Sequence, residues 1–412
     1  MAIQQALFYN FIETTLVLLV LAFTPAHSYI RPALLPVVFV LTFYTLPLNN
    51  EAFPHVVIHG LLCFHTVGLL LQYIDYVLIS RWTYSAGGPT SSVGGERNIK
   101  SESDKGSVTH GNLWTRLYWG LFAATAWRAP ATPWEANGTP PFKQVPGRVK
   151  FLAGHLVRLV ISLLVLDALS LAPKDSGENN AAKFAWSQVR LFMPPEHLSH
   201  DAFTLRVATV CAFWIASYFS IQAFFSSMAI LGVATGVTPV RVWPPIFGSL
   251  TQGYTVRTFW GNFWHQSVRR KTSGPAYYLT YRVLRLRKGG IIARYMYILL
   301  AFMVSSLLHL AAEEYADGIR WGESGTLRFF FMQWLGIVLE DVAQSLGRTL
   351  TGYQLNRWTK ALGFVWVAFW LFWTTPSFFY PRMARLNGSE PDPLPLSVAQ
   401  PLAEYLSRRW LA

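Results

Sequence analysis

The sequence predicts an all-α, polytopic integral membrane protein with about eight transmembrane helices, and three observations predict it. Only 13% of its 412 residues are charged while 52% are hydrophobic, against about 25% charged in a soluble domain. About eight stretches reach the roughly 20 mostly apolar residues that a bilayer crossing needs. Basic residues gather in alternate gaps between those stretches. So little charge cannot cover the surfaces of soluble domains, which excludes an ordinary soluble enzyme, and the apolar content excludes disorder over most of the chain. The net charge of +13 would suit a nucleic-acid binder. With a mean hydropathy of +0.29 it is instead the loop bias of a multi-pass protein, and no nucleic-acid partner is expected.

In chain order the apolar stretches are 7–25, 30–48, 56–79, 151–172, 206–236, 293–312, 327–346 and 361–379. The first has no basic segment before it, and a second follows almost at once. It therefore reads as a retained helix rather than a cleaved signal. With a lumenal N-terminus and one crossing per stretch, the turn holding Arg31 and the gaps 81–150, 237–294 and 347–360 face the cytosol. Those segments hold 23 of the 34 Lys and Arg. Residues 84–112 are rich in Gly, Ser and charge and read as a disordered linker. Residues 113–150, aromatic and Pro-rich, read as an interfacial segment. The expected organisation is N-terminal transmembrane helices over 1–80, the cytosolic linker and interfacial segment over 81–150, and a transmembrane core over 151–412. Glu13 lies deep in the first stretch and is expected to pair or snorkel. Cys63 and Cys211 sit in apolar stretches without C-x-x-C spacing and read as packing residues.

Chemistry concentrates in the third cytosolic gap, in WPPIFGSLTQGYTVRTFWGNFWHQSVRRK. Two double aromatics, Phe259-Trp260 and Phe263-Trp264, flank Asn262, His265 and Gln266, and Arg269, Arg270 and Lys271 follow. Such a segment suits the membrane–water boundary. Further on, FMVSSLLHLAAEE places His309 inside an apolar run, and an ionisable residue at membrane depth marks a functional site by default. No acidic residue occurs from 202 to 312, a gap containing both histidines.

FWGNFWHQ resembles the FWGRRWN element of wax-ester synthases, and MVSSLLH resembles their VSGLMHE element. Both belong to the wider membrane-bound O-acyltransferase group. Closer still is the fungal wax-synthase-like branch of acetyltransferases, which decorate terpenoid and meroterpenoid natural products and carry WPP…FG…FWG.FWHQ. The motif resemblance covers residues 240–315, with the two histidines 44 positions apart. It implies an acyltransferase core, and His309 matches the catalytic histidine. His265 stands where the wider group has Asn, and Leu310 replaces a Glu that often follows the histidine. Glu313, one turn later on the same helical face, is the candidate substitute.

Alcohol acylation by an acyl-CoA needs a base for the hydroxyl proton and donors for the thioester oxyanion. His309 is assigned as base, with His265 and Asn262 in support. Arg269, Arg270, Lys271 and Arg282, with Trp264, are assigned to the coenzyme A thioester. The basic cluster also suits anionic lipid, and the tryptophans suit interfacial anchoring. The expected reaction joins an acyl group, acetyl by the resemblance, to a lipophilic alcohol, in a multi-pass protein of the endoplasmic reticulum. Long-chain wax-ester synthesis and transport are the alternatives. No permanent cofactor is expected. No metal site is expected either, since His55/His59 and His197/His200 lack the adjacent pairs of a di-iron enzyme. Of the two N-x-[ST] sequons, Asn137 falls on the cytosolic side and Asn387 on the lumenal side, where it is a glycosylation candidate.

Overall fold

The computed structural model describes residues 1–91, 111–171, 181–189, 199–315, 321–352 and 354–385, with 397 and 401. Most of the linker reading (92–110), His197 and the sequon at Asn387 lie outside them.

Helices account for nearly all the architecture. They are α1 (Ala2–Phe23), α2 (Leu35–Ala52), α3 (Val56–Gln72), α4 (Leu113–Thr125), α5 (Arg148–Ser170), α6 (His200–Ala234), α7 (Arg269–Tyr278), α8 (Ile291–His309), α9 (Thr326–Thr351) and α10 (Arg357–Met383). A two-residue hairpin pairs Trp82–Thr83 with Gly88–Pro89. Seven helical segments of the described residues are long and apolar enough to cross a membrane: Ala2–Phe23, Ile30–Ala52, Ile58–Ile79, Arg148–Ser170, His200–Ala234, Ile291–Glu313 and Arg357–Met383. The remaining expected stretch, 327–346, is helical as α9 but carries Arg328, Glu340 and Asp341, which lower its hydropathy. The outer faces look like lipid contacts. On α5, Leu156, Val157, Val160, Ile161 and Leu164 are exposed, whereas Phe151, His155, Ser162 and Leu166 are buried, largely against α6.

Inside the N-terminal bundle polar side chains join the helices, as expected where lipid supplies no hydrophobic drive for helix association. Asn10 Nδ2 donates to Asn49 Oδ1 (2.7 Å), and Thr66 Oγ1 donates to Asn10 Oδ1 (2.8 Å). Glu13 is fully buried and accepts from Thr42 Oγ1 at 2.6 Å. Arg31 is buried too. Its guanidinium donates to Thr24 O, Val77 O and Trp82 O, tying the first turn to the hairpin after α3.

Short π-helical turns follow several helices: Tyr73–Ile79 after α3, Phe259–Phe263, Leu279–Val283 after α7, and Leu310–Tyr315 after α8. Such turns are rare and frequent at functional sites. One of them begins directly after His309, and another ends two residues before His265. Along the strand-free core, α8, α9 and α10 lie side by side, and α7 packs on α8. The last turn beyond α8 rests on α3, so the N-terminal helices form a wall of the same body.

Candidate active site

The segment carrying FWGNFWHQ is held from several directions. Glu340, on α9, accepts from the backbone N–H groups of Val256 (2.5 Å) and Arg257 (3.3 Å) and from Trp366 Nε1 (2.9 Å). A carboxylate thus takes up donors at the start of a helical turn, where orphan N–H groups favour negative charge. The π turn closes with Trp264 N–H donating to Phe259 O at 2.8 Å. Gln266 then ties the loop back on itself, donating to Trp260 O (3.0 Å) and Trp264 O (2.5 Å). Its own Oε1 accepts from Arg269 Nη1 at 2.8 Å, and the same nitrogen donates to Gly261 O at 2.6 Å. Gly248 donates its N–H to Phe263 O at 2.9 Å, and its lack of a side chain lets the carbonyl of Asn262 approach.

These anchors leave His265 and His309 on the wall of one cavity of about 1810 Å³. Most of the wall is aromatic or aliphatic, including Trp214, Trp260, Phe302, Phe329, Phe330 and Phe378. His309 lies 18 residues along α8, about 27 Å from its start. Its ring meets Phe64, Phe330 and Phe378 at centroid distances of 4.9, 5.0 and 5.6 Å. Its Nδ1 lies 2.9 Å from Glu313 Oε1, across the change from α to π geometry. With a carboxylate there, Nδ1 carries a proton and Nε2 is left with its lone pair.

His265 has a different partner: Ser267 Oγ, 2.7 Å from Nδ1. Burial pushes its pKa down to about 3, with smaller contributions from His309 and from the guanidinium of Arg128. It is a neutral imidazole at any physiological pH, able to offer one N–H.

Trp264 and Arg269 also line the cavity. The other assigned residues lie elsewhere. Asn262 is exposed and borders a separate recess of about 660 Å³, with Thr258, Arg357 and Lys360. Arg270 lies over the Tyr76 and Trp82 rings, 3.4 Å from Asp75. Lys271 is buried, donates from Nζ to Gly68 O at 2.8 Å, and stands 4.0 Å over the Trp127 ring. Arg282 is exposed on the π turn after α7. The basic run is therefore divided: Arg269 faces the chamber, while Arg270 and Lys271 fasten α7 to the N-terminal helices.

Three side chains that sequence reasoning passed over belong to the site. Ser267 and Arg128 line the cavity, and Glu340 holds the motif loop from outside it. Arg128 sits in a segment over 126–142 that lies as a strap across the motif loop. Arg128 donates to Pro244 O and Pro245 O, and Arg270 Nη1 donates to Trp134 O at 3.1 Å. The WPP signature gave a hint, because prolines leave an extended chain with open carbonyls. Nothing local in the sequence pointed to the partner.

Residues 243–332 match the model of the membrane bound O-acyl transferase family. Acetyltransferase aurG of Calcarisporium arbuscula is 48% identical over 367 residues, 89% of this chain and 90% of the relative. Acetyltransferase fsoF of Humicola fuscoatra is 34% identical over 349 residues, covering 78% and 83%. Acetyltransferase ataH of Aspergillus terreus is 34% identical over 262 residues, covering 63% and 86%.

Proposed function

Since the chain belongs to the membrane-bound O-acyltransferase family, in its fungal acetyltransferase branch, we propose that it transfers acetyl from acetyl-CoA to a hydroxyl of a lipophilic terpenoid. The family makes it an integral membrane acyltransferase using an acyl-CoA and a lipophilic acceptor. The acetyl donor, the terpenoid acceptor and an endoplasmic-reticulum location are our reading. One observation carries the chemistry: two histidines of unlike environment share the wall of one largely apolar chamber. The printed names of the relatives support acetyl as the transferred group.

The residues then divide the work. His309 Nε2 takes the alcohol proton as the oxygen attacks the thioester carbon, with Glu313 holding the ring from Nδ1. The new C–O bond forms as the carbonyl becomes an oxyanion, which neutral His265 meets with its N–H. The oxyanion then collapses, the C–S bond breaks, and the thiolate takes the proton from His309 to leave as coenzyme A. The aromatic walls exclude water, which would otherwise hydrolyse the thioester. Arg269 is the cation of the assigned basic run that faces the donor.

The test is incubation of membranes containing the protein with labelled acetyl-CoA or palmitoyl-CoA and a panel of prenyl, sesquiterpene and sterol alcohols. Ester formation from acetyl-CoA is expected. Formation only from palmitoyl-CoA would favour wax-ester synthesis. His309→Ala should abolish transfer with insertion preserved, and Glu313→Gln should lower kcat by about 10- to 100-fold. Full activity in His309→Ala would remove its assigned role.

A further inference from the structure

The chamber has one conspicuous imbalance. Among the described residues that line it, four are arginines (Arg128, Arg257, Arg269 and Arg382) and one is an acid, Glu313. Arg257 is paired with Asp341, and Arg382 stands near the far end of α10. Arg269 braces the motif loop from Nη1, through Gly261 and Gln266, and is the cation assigned above to the donor. Arg128 is different. Only 4% exposed, it donates from Nη1 to Pro245 O and from Nη2 to Pro244 O, each at 2.7 Å. Its guanidinium also lies 5.4 Å over the Phe225 ring. Two of five N–H donors are used in this way. Glu135, on the same strap, supplies nearby negative charge.

The reaction needs donors fixed in advance toward the thioester oxygen, since donors that need not reorganise are worth most in a dry site. Asn262 is exposed and borders the separate recess. His265 offers one N–H, and an oxyanion accepts more than one. We propose that Arg128 is a further catalytic residue, donating beside His265 to the thioester carbonyl oxygen as it becomes an oxyanion. This rests on the acyl-transfer reading above. The two prolyl carbonyls and the Phe225 ring fix the guanidinium before substrate arrives, and a guanidinium keeps its proton inside a protein. Pro245, whose carbonyl Arg128 holds, stands two residues before Phe247, whose ring meets that of His265 at 6.2 Å, and Arg128 and His265 both line the one chamber. The role also gives the WPP signature a purpose: it seats a catalytic cation contributed from another part of the chain.

The competing role for a cation here is to bind the phosphates of coenzyme A, and a donor without phosphates separates the two. Wild type, Arg128→Gln and Arg128→Lys are assayed in membranes with acetyl-CoA and with S-acetyl-N-acetylcysteamine, using the best acceptor of the alcohol panel. Arg128→Gln should lose on the order of 10²-fold in kcat with both donors, with little change in KM for acetyl-CoA. Arg128→Lys, which keeps the charge, should recover part of the loss. Added guanidinium should restore part of the activity of Arg128→Ala, which it would not do for a collapsed chamber. A loss seen with acetyl-CoA but absent with the phosphate-free donor would overturn the proposal in favour of phosphate binding. Unchanged kcat in Arg128→Gln would overturn it outright, as would failure of both Arg128→Lys and guanidinium to restore any rate. A wild type that transfers acetyl while the variants retain full rate sinks this inference alone. A wild type inactive with every acyl-CoA sinks the underlying reading and this inference with it.

Discussion

At His309 the partner of Nδ1 is a carboxylate, Glu313 Oε1 at 2.9 Å, and at His265 it is a hydroxyl, Ser267 Oγ at 2.7 Å. The difference suits opposite duties. A carboxylate fixes a proton on Nδ1 and makes Nε2 an acceptor, whereas a hydroxyl is able to donate to Nδ1 and leave a proton on Nε2. Burial keeps His265 neutral, with a pKa near 3 against about 6.5 in an unfolded chain. The sign of the linkage follows. As pH falls below about 6.5 the unfolded state binds a proton that the folded state refuses, so stability drops until the pH approaches 3. His265→Asn, whose amide does not titrate, should lose less Tm between about pH 7 and pH 5 than wild type does. Parallel Tm curves in detergent would show that His265 is not held neutral by the fold. His309 was legible because an ionisable residue in an apolar run stands out, and His265 through the FWGNFWHQ motif that holds it. Ser267 was not. Serines are common, and its meaning comes only from standing opposite a ring nitrogen.

The transmembrane helices follow from hydropathy alone, since a crossing leaves a signal in consecutive residues. The strap over 126–142 leaves none of that kind. Its aromatic and Pro-rich composition suggested a segment lying in the membrane interface, and α4 does occupy 113–125. Beyond it the chain is fastened to the motif loop by side chains reaching backbone carbonyls, and every residue offers a carbonyl. Composition therefore could not name the partner. The strap carries local strain, with Ala129 and Ala131 at φ of 47° and 57°, conformations that non-glycine residues visit at a cost of about 1–2 kcal/mol. Gly138, at φ 80°, is its closest approach: a Cβ there would stand 2.6 Å from Gly261 O and 2.8 Å from Arg269 Nη1. A backbone oxygen inside the motif cannot step aside, so Gly138→Ala should lift the strap and disturb Arg269. We expect kcat to fall at least about 10-fold, as small displacements near a preorganised site do, while the protein still inserts in the membrane. Wild-type turnover in Gly138→Ala would mean that the strap does not brace the site.

On the scale of the whole molecule, one helix decides how many times the chain crosses the bilayer. By composition α9 falls short, yet its neighbours hold it from its start to beyond its middle. Near its start Gly325 abuts Ser377, and Phe329 meets Phe378 at 5.2 Å, both toward the end of α10. At its middle Glu340 takes the donor of Trp366, in the first half of α10. The two helices are antiparallel, and the 26 residues of α9 extend about 39 Å, more than a bilayer core of about 30 Å. Its acids are not left to lipid: Glu340 accepts three N–H groups, and Asp341 is met by Arg257, Arg294 and the Tyr295 hydroxyl. Those contacts join it to the motif loop, which the charge bias puts in the cytosol. α9 therefore should cross, with its acids about 21 Å from its start, on the cytosolic side of the bilayer and met by protein partners rather than lipid, and both chain termini should be lumenal. Asn137, whose strap packs on the same cytosolic loop, should carry no glycan, and Asn387 is free to carry one. Two measurements check this arrangement in sealed microsomes. A glycan shift should vanish in Asn387→Gln and persist in Asn137→Gln. A cysteine placed at the exposed Lys360 should react with an impermeant maleimide added outside. A glycan on Asn137 together with a protected cysteine at Lys360 would invert the orientation. A protected cysteine at Lys360 with no glycan on Asn137 or Asn387 would mean that α9 does not cross, leaving the seven crossings that hydropathy alone supports.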